Sequence, residues 1–219
     1  MSSIDFDIYN NIVCLVAKRK SGKSQLLRYI VTKNKHKFDK MFLICPTQAI
    51  NDFYEEDLFK KENIFENYSD NWVNALMKKM GEINAKKTND KECKHELLLL
   101  DDVCSDTDFH HSKTLKQLAT KGRHYKITLF ITCQYLYHVP PIFRSNVDWM
   151  LVGQINSQGL DILTSEFIAG EITKQEFIKM NYKATSNYGF LLINNNSTKC
   201  NDDLCSIYGV LRTPSDFVK

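Results

Sequence analysis

The chain has 219 residues, 43% of them hydrophobic and 25% charged, with a formal net charge of +3. That length buries a substantial core without staples and is large for one domain, small for two. The near-neutral balance does not by itself argue for a nucleic-acid partner, and no apolar run approaches the length of a membrane span.

Charge is uneven along the chain. Lys18, Arg19, Lys20, Lys23, Arg28, Lys33, Lys35, Lys37 and Lys40 face only Asp5, Asp7 and Asp39 in the first forty residues. The seven cysteines are odd in number and scattered; Cys14, Cys45 and Cys133 sit in or beside apolar runs, as reduced core thiols do. Cys93 near His95, and Cys200 with Cys205, lack the paired spacing of a zinc site. The N-terminus has no signal-peptide apolar stretch, so a soluble, intracellular protein is expected.

The first predicted strand is "NIVCLV" (11–16), and "AKRKSGKS" (17–24) follows it. The phosphate-binding loop pattern is G-x-x-x-x-G-K-[ST]. Here Ala17 replaces the first glycine, which alanine can do if its φ is negative. A helix predicted over Gly22–Lys35 follows the loop, so its N-terminus faces the phosphates. The loop Lys18, Arg19, Lys20, Ser21, Gly22, Lys23, Ser24 and Gln25 is the expected phosphate cradle. Lys23 reaches the β- and γ-phosphates, and the Ser24 hydroxyl binds Mg²⁺.

A strand over 40–46 comes next, then a helix over Asn71–Lys86 whose Trp72, Val73, Leu76, Met77 and Met80 form one apolar stripe. "ELLLLDD" (96–102) is an apolar strand ending in two acids. Asp101 is the expected metal-shell acid, and Asp102 the acid that polarises the attacking water. A helix over Ser112–Arg123 leads to the strand 127–134, tipped by Gln134, an amide placed to touch the γ-phosphate or the water. Arg123 precedes that strand, where it could project to a neighbouring subunit as a finger. After the turn at Pro140 and Pro141, Arg144 and Asn146 precede a further strand over 148–153.

Two short helices (157–167 and 173–182) and two strands (188–194 and 206–212) complete the chain. The polar loop between those strands, and the segment 86–94, are the expected mobile stretches. The near-continuous apolar strands alternate with helices, which predicts an α/β doubly wound, mostly parallel sheet with helices on both faces. A single domain over 1–219 is expected, with a core at about 10–165 and a C-terminal extension over 166–219.

The stretches "AKRKSGKSQLLRYI", "LLLLDDV", "KGRHYKITLFITCQ" and "VPPIFRSNVDWMLVGQ", in this order, resemble the FtsK–HerA superfamily of P-loop ATPases. They look most like the genome-packaging ATPases of large eukaryotic DNA viruses and virophages. The resemblance implies a RecA-like fold, with ATP and Mg²⁺ as cofactors. It also implies a homo-oligomeric ring, a pentamer or hexamer, that threads double-stranded DNA into a capsid at a portal or vertex protein. The site it implies uses Lys23 and Ser24 for ATP and Mg²⁺, Asp101 for Mg²⁺, Asp102 for water activation and Gln134 as sensor. An arginine from the adjacent subunit, Arg123 or Arg144, completes that site. Asp102 departs from the glutamate that many relatives carry. The location implied is the cytoplasmic virus factory or the virion, with no membrane partner. A non-catalytic nucleotide-binding scaffold and a small-molecule or nucleotide kinase are the rival readings; the kinase lacks an arginine-rich lid segment.

Overall fold

The structure, a computed structural model, describes residues 6–46, 54, 58–105, 107–168, 172–196 and 207–217. Its strands are β1 Ile12–Val16, β2 Lys40–Ile44, β3 Ile64–Phe65, β4 Glu96–Asp101, β5 Ile127–Cys133, β6 Trp149–Val152, β7 Phe190–Asn194 and β8 Tyr208–Leu211. Its α-helices are α1 Lys23–Asn34, α2 Asp70–Asn84, α3 Thr107–His111, α4 Lys113–Lys121, α5 Pro141–Arg144, α6 Ser157–Glu166 and α7 Lys174–Ala184.

The strands form one 8-stranded sheet in the order β3-β2-β4-β5-β1-β6-β7-β8. β3 through β6 run parallel, and β7 and β8 are antiparallel to their neighbours. The expected α/β fold, mostly parallel with helices on both faces, is the observed one. β1 lies between β5 and β6, so α1 departs toward β2 while the chain from β5 to β6 crosses to the other side. This is the strand-order switch at whose carboxyl end open α/β sheets bind ligands.

Alternation along β1 explains why helices cover both faces. Ile12, Cys14 and Val16 join the core cluster under α2 and α4, with Val73, Leu76, Met77, Met80, Leu115 and Leu118. Val13, Leu15 and Ala17 join the opposite cluster, with Leu26, Leu27, Ile30 and Val31 of α1. A five-residue strand that is apolar on both sides cannot face water, so the sequence shows a continuous run rather than alternation. Of the expected α2 stripe, Trp72 is only half-buried and packs edge-on against Phe42 at 5.1 Å between ring centroids.

Helix starts carry side-chain caps where the sequence offers them. Ser112 Oγ accepts from Leu115 N at 2.8 Å, Asn156 Oδ1 accepts from Gly159 N at 2.9 Å, and Thr173 with Glu176 forms a capping box at α7.

Three local expectations are corrected, and one strand is added. Residues 122–125 leave the helix predicted through Arg123 and form a 3₁₀ turn. Pro141 opens the short helix α5 rather than extending a turn, because a proline at the first helical position loses no hydrogen bond. The strand predicted from Tyr188 begins at Phe190, since Asn187 and Tyr188 have φ of 50° and 56°. β3 was not expected; two residues carry no readable periodicity, and only their pairing with β2, Leu43 with Ile64 and Ile44 with Phe65, makes them a strand. Segment 86–94 contains a 3₁₀ turn, tied at Lys94 N to Asn84 Oδ1 at 2.8 Å. The loop with Cys200 and Cys205 lies outside the described residues.

Candidate active site

The parallel register brings the three motif strands to one edge. Val16 pairs with Cys133, and Thr132 pairs with Asp101, so the ends of β1, β5 and β4 lie side by side. The loop after β1 is anchored on both flanks: Ala17 N donates to the Cys133 carbonyl at 3.1 Å, and Lys18 N to the Gln154 carbonyl at 2.8 Å. Ser21 Oγ closes the loop onto the Lys18 carbonyl at 2.6 Å. Lys20 and Gly22 adopt positive φ, 61° and 85°, and α1 starts at Lys23. Gly22 is required where it stands, because a side chain at that φ is strained.

Ala17 does not have a positive φ, which is the condition under which alanine replaces the first glycine. Its methyl is buried, and a Cβ built on Gly153 would lie 2.6 Å from it. The methyl gained at position 17 is therefore matched by the one missing at position 153.

The two acids occupy different environments. Asp101 is buried; Thr132 Oγ1 donates to its Oδ1, and the Tyr54 hydroxyl donates to its Oδ2 at 2.9 Å. The Cys45 thiol approaches the same Oδ2 at 3.7 Å. Burial, reinforced by the Asp101 charge, pushes the Tyr54 phenol well above its ordinary value, which keeps it a donor. Asp102 has φ of 55°, and its backbone N–H donates to the Thr132 carbonyl at 3.3 Å. Its Oδ1 accepts from Lys23 Nζ at 2.5 Å, and its Oδ2 from Gln134 Nε2 at 3.2 Å. One carboxylate thus joins the loop lysine to the amide at the tip of β5. Arg19, Asp102, Gln134, Tyr135 and His138 border a cleft of about 210 Å³ beside it.

Lys23, Asp101, Asp102, Gln134 and Arg19 are brought together, and Ser24 is exposed at the start of α1 beside them. No hydrogen bond joins Ser24 to Asp101 among the described residues. Ser24 and the two aspartates supply hard oxygen donors, a set that suits Mg²⁺ held partly by substrate phosphates. Among the described residues, no group of three or more His, Cys, Asp or Glu could hold a metal ion alone.

The two arginines lie elsewhere. Arg123 precedes β5, at the opposite end of the strands, and its guanidinium pairs with Asp148. Its side chain is 53% exposed, whereas that of Asp148 is 1% exposed. Arg144 is buried, donating from Nε and Nη2 to the two Glu166 oxygens at 2.7 and 2.6 Å, and from Nη1 to the Val139 carbonyl at 2.6 Å. Sequence reading missed Thr132, Tyr54 and Gly153. Thr132 was findable, two residues before Gln134 in a strand beside the acidic one; Tyr54 had no signal, because its distance from Asp101 is set by the fold.

The sequence profile of the poxvirus A32 protein matches residues 7–210. The chain belongs to this family. It is 27% identical over 187 residues to the uncharacterized protein 075L of invertebrate iridescent virus 6, covering 84% of this chain and 70% of that one. It is 24% identical over 204 residues to protein 015R of frog virus 3, covering 92% of this chain and 61% of that one. Among solved structures, the genome packaging NTPase B204 of Sulfolobus turreted icosahedral virus 2, in complex with AMPPCP, matches with a TM-score of 0.64 at 16% identity. That match covers 94% of this chain and 99% of B204. The pCW3 conjugation coupling protein TcpA with ATPγS matches with a TM-score of 0.58 at 16% identity, over 90% of this chain and 62% of TcpA. The expected resemblance is borne out in family and fold: the chain belongs to the poxvirus A32 family and shares the fold of the packaging NTPase B204. Among the described residues, no helix is long and apolar enough to cross a membrane.

Proposed function

We propose that this member of the poxvirus A32 family is an ATP-driven translocase of double-stranded DNA that packages a viral genome into a capsid. One observation carries the reading: Asp102 joins Lys23 to Gln134 at the carboxyl edge of the sheet. A lysine, a carboxylate and an amide converging on one point are the groups that phosphoryl transfer to water needs. B204, whose fold this chain shares, is a packaging NTPase by its own description, which supports the same reading.

The backbone N–H groups of the loop and the N-terminus of α1 receive the phosphates. Lys23 exchanges its bond to Asp102 for the β- and γ-phosphates, because the phosphates carry more charge than one carboxylate. Asp102, released from Lys23, orients the attacking water together with Gln134. Ser24 and Asp101 would hold Mg²⁺, which supplies charge neutralisation at the phosphates when bound. Thr132 and Tyr54 fix Asp101 for that task.

The finger, supplied by a neighbouring subunit of a ring, is Arg123. A residue acting in trans must lie away from its own site and be exposed, and Arg123 meets both conditions. Arg144 is engaged inside its own subunit by three hydrogen bonds. The DNA, the ring and the capsid vertex are the partners of this reading, and the infected cell's virus factory its place of action.

The test is steady-state ATP turnover with and without duplex DNA. Wild type turns over ATP and is stimulated by DNA. Lys23→Ala loses turnover, and Asp102→Asn keeps ATP binding while hydrolysis slows. ATP binding without turnover would favour a scaffold, and phosphoryl transfer to a small acceptor a kinase.

A further inference from the structure

Three buried thiols meet beside the candidate site, and the hydrolysis described above uses none of them. Cys133 closes β5, one residue before Gln134. Cys104 lies in a 3₁₀ turn over Val103–Ser105, two residues after Asp102. Cys14 lies in the middle of β1. All three are free thiols. Cys133 Sγ is in hydrogen-bonding contact with the thiols of Cys104 and Cys14. Cys104 Sγ also stands 3.8 Å from the Thr132 carbonyl oxygen, beside the end of β5. Cys104 and Cys133 are each 2% exposed, yet both border the cleft of about 210 Å³ that Arg19, Asp102 and Gln134 line. A water takes up ~30 Å³ in the liquid, so a cleft of this volume admits hydrogen peroxide.

Geometry selects one pair among the three. Cys14 pairs with Ile131 and Cys133 with Val16, so Cys14 and Cys133 stand diagonally across β1 and β5. Strand rise and spacing put such Cα atoms about 8 Å apart, beyond the ~7 Å that a disulfide bridges. The ladder holds both positions, so neither moves closer. Cys104 is in a turn outside the ladder, where the backbone can give by the distance a bond needs. Chemistry selects the order of reaction. The thiols of Cys104 and Cys14 hydrogen-bond to the Cys133 sulfur and, with the Lys23 charge, hold its thiol well below the ordinary value. Burial pushes the Cys104 thiol up. The thiolate is the attacking form, so Cys133 reacts first and Cys104 resolves.

We propose that Cys133 and Cys104 form a dithiol that hydrogen peroxide oxidises to a disulfide in the catalytic cleft, and that this disulfide stops hydrolysis. The second half of the proposal rests on the ATPase reading above. Cys133 sulfur attacks one peroxide oxygen and the O–O bond breaks. The departing hydroxide leaves as water with the Cys133 proton, and Cys133 becomes a sulfenic acid. Cys104 sulfur then attacks the Cys133 sulfur and the S–O bond breaks. That hydroxide leaves as water with the Cys104 proton. Each sulfur has lost one electron, and one peroxide has become two waters. The new bond draws the two sulfurs to about 2.05 Å. It ties the turn after Asp102 to the residue before Gln134, so the pair that orients the water is displaced. A misplacement of this kind, near 1 Å, costs ~10²-fold in rate.

The test treats wild type, Cys104→Ala and Cys133→Ala with hydrogen peroxide, then measures ATP turnover and maps disulfide-linked peptides by mass spectrometry. A melting curve accompanies each protein. Wild type yields a peptide linking Cys104 to Cys133 within one chain, and its turnover falls by roughly tenfold or more. Cys104→Ala forms no such link, and dimedone labels its Cys133 as the trapped sulfenic acid. Cys133→Ala keeps its turnover through the same treatment. If wild type forms no link between Cys104 and Cys133, the proposal is overturned, whether or not Cys133→Ala folds. If the link forms but turnover is unchanged, or Cys133→Ala is inhibited as wild type is, the disulfide is not what stops hydrolysis and the proposal is again overturned. If the link forms in a wild type that hydrolyses no ATP before treatment, the ATPase reading falls and the dithiol stands as a modification site.

Discussion

At residue scale, Ala17 and Gly153 act as a pair. The Ala17 methyl fills the room beside β6 that a side chain at position 153 would claim, and Phe190 crowds the same point, with Cε1 2.8 Å from a Cβ built there. Gly153→Ala overpacks this contact and is expected to cost ~1–3 kcal/mol in urea denaturation. Ala17→Gly alone costs about 0.4–1 kcal/mol through unfolded-chain entropy. Combined, the two substitutions cost less than their sum, because the second removes one of the two clashes. Additive effects would show that the methyl and the glycine do not share the space. The same locality governs the acids: adjacent in sequence, Asp101 and Asp102 have different partners because the positive φ at Asp102 turns its carboxylate toward Lys23 and Gln134.

At the scale of elements, Arg144 fastens α5 to the end of α6 through Glu166 and to the chain before α5 through the Val139 carbonyl. Those segments support the stretch that begins at Gln134. Arg144→Ala leaves the Val139 carbonyl without its donor and Glu166 without its ion pair. We expect a loss on the order of 3 kcal/mol, a drop in melting temperature of roughly 2–4 °C per kcal/mol in a chain of this size. Glu166→Gln costs less, because one oxygen still accepts from the guanidinium. If Arg144→Ala melts with wild type yet loses ATP turnover only in the assembled state, Arg144 rather than Arg123 acts between subunits.

At the scale of the molecule, a finger supplied in trans makes activity a property of the assembly. Specific ATPase activity is expected to rise steeply with protein concentration, and Arg123→Ala to bind ATP yet lose about 10³–10⁵ in rate. Mixing it with Lys23→Ala restores part of the activity, because some interfaces then pair an intact loop with an intact arginine. Flat activity down to proven monomer, with a dead mixture, refutes the arrangement. Distant from this site, the start of β4 carries two buried ionisable groups. Burial pushes the Glu96 carboxyl above its usual 4.5, and its Oε2 has no hydrogen-bond partner among the described residues. Burial pushes His95 below 6.5. The Glu96 contribution to stability is present below pH 4.5 and lost as pH rises through the raised value. The His95 contribution is present above pH 6.5 and lost as pH falls through the lowered value. Glu96→Gln is therefore expected to melt higher than wild type at pH 7 and with it below pH 4.5; equal melting at pH 7 would refute the burial cost.

The sequence by itself determined the apolar strands, the long helices and the loop from Ala17 to Ser24, because each is written in consecutive residues. β1, β4 and β5 are continuous apolar runs, and Lys23, Asp101, Asp102 and Gln134 stand at fixed offsets from their ends. Local chemistry suffices for such features: a strand buried on both faces needs apolar side chains throughout, and an αL residue before α1 calls for glycine. Tertiary structure alone decided the partners. That Asp102 joins Lys23 to Gln134 across 79 and 32 residues follows from the strand order β4-β5-β1, which no local pattern records. The same holds for Tyr54 on Asp101, for the methyl of Ala17 against Gly153, and for the intrasubunit hold on Arg144. Such contacts join residues distant along the chain, and their free energy is gained only after the sheet has closed the loops between them.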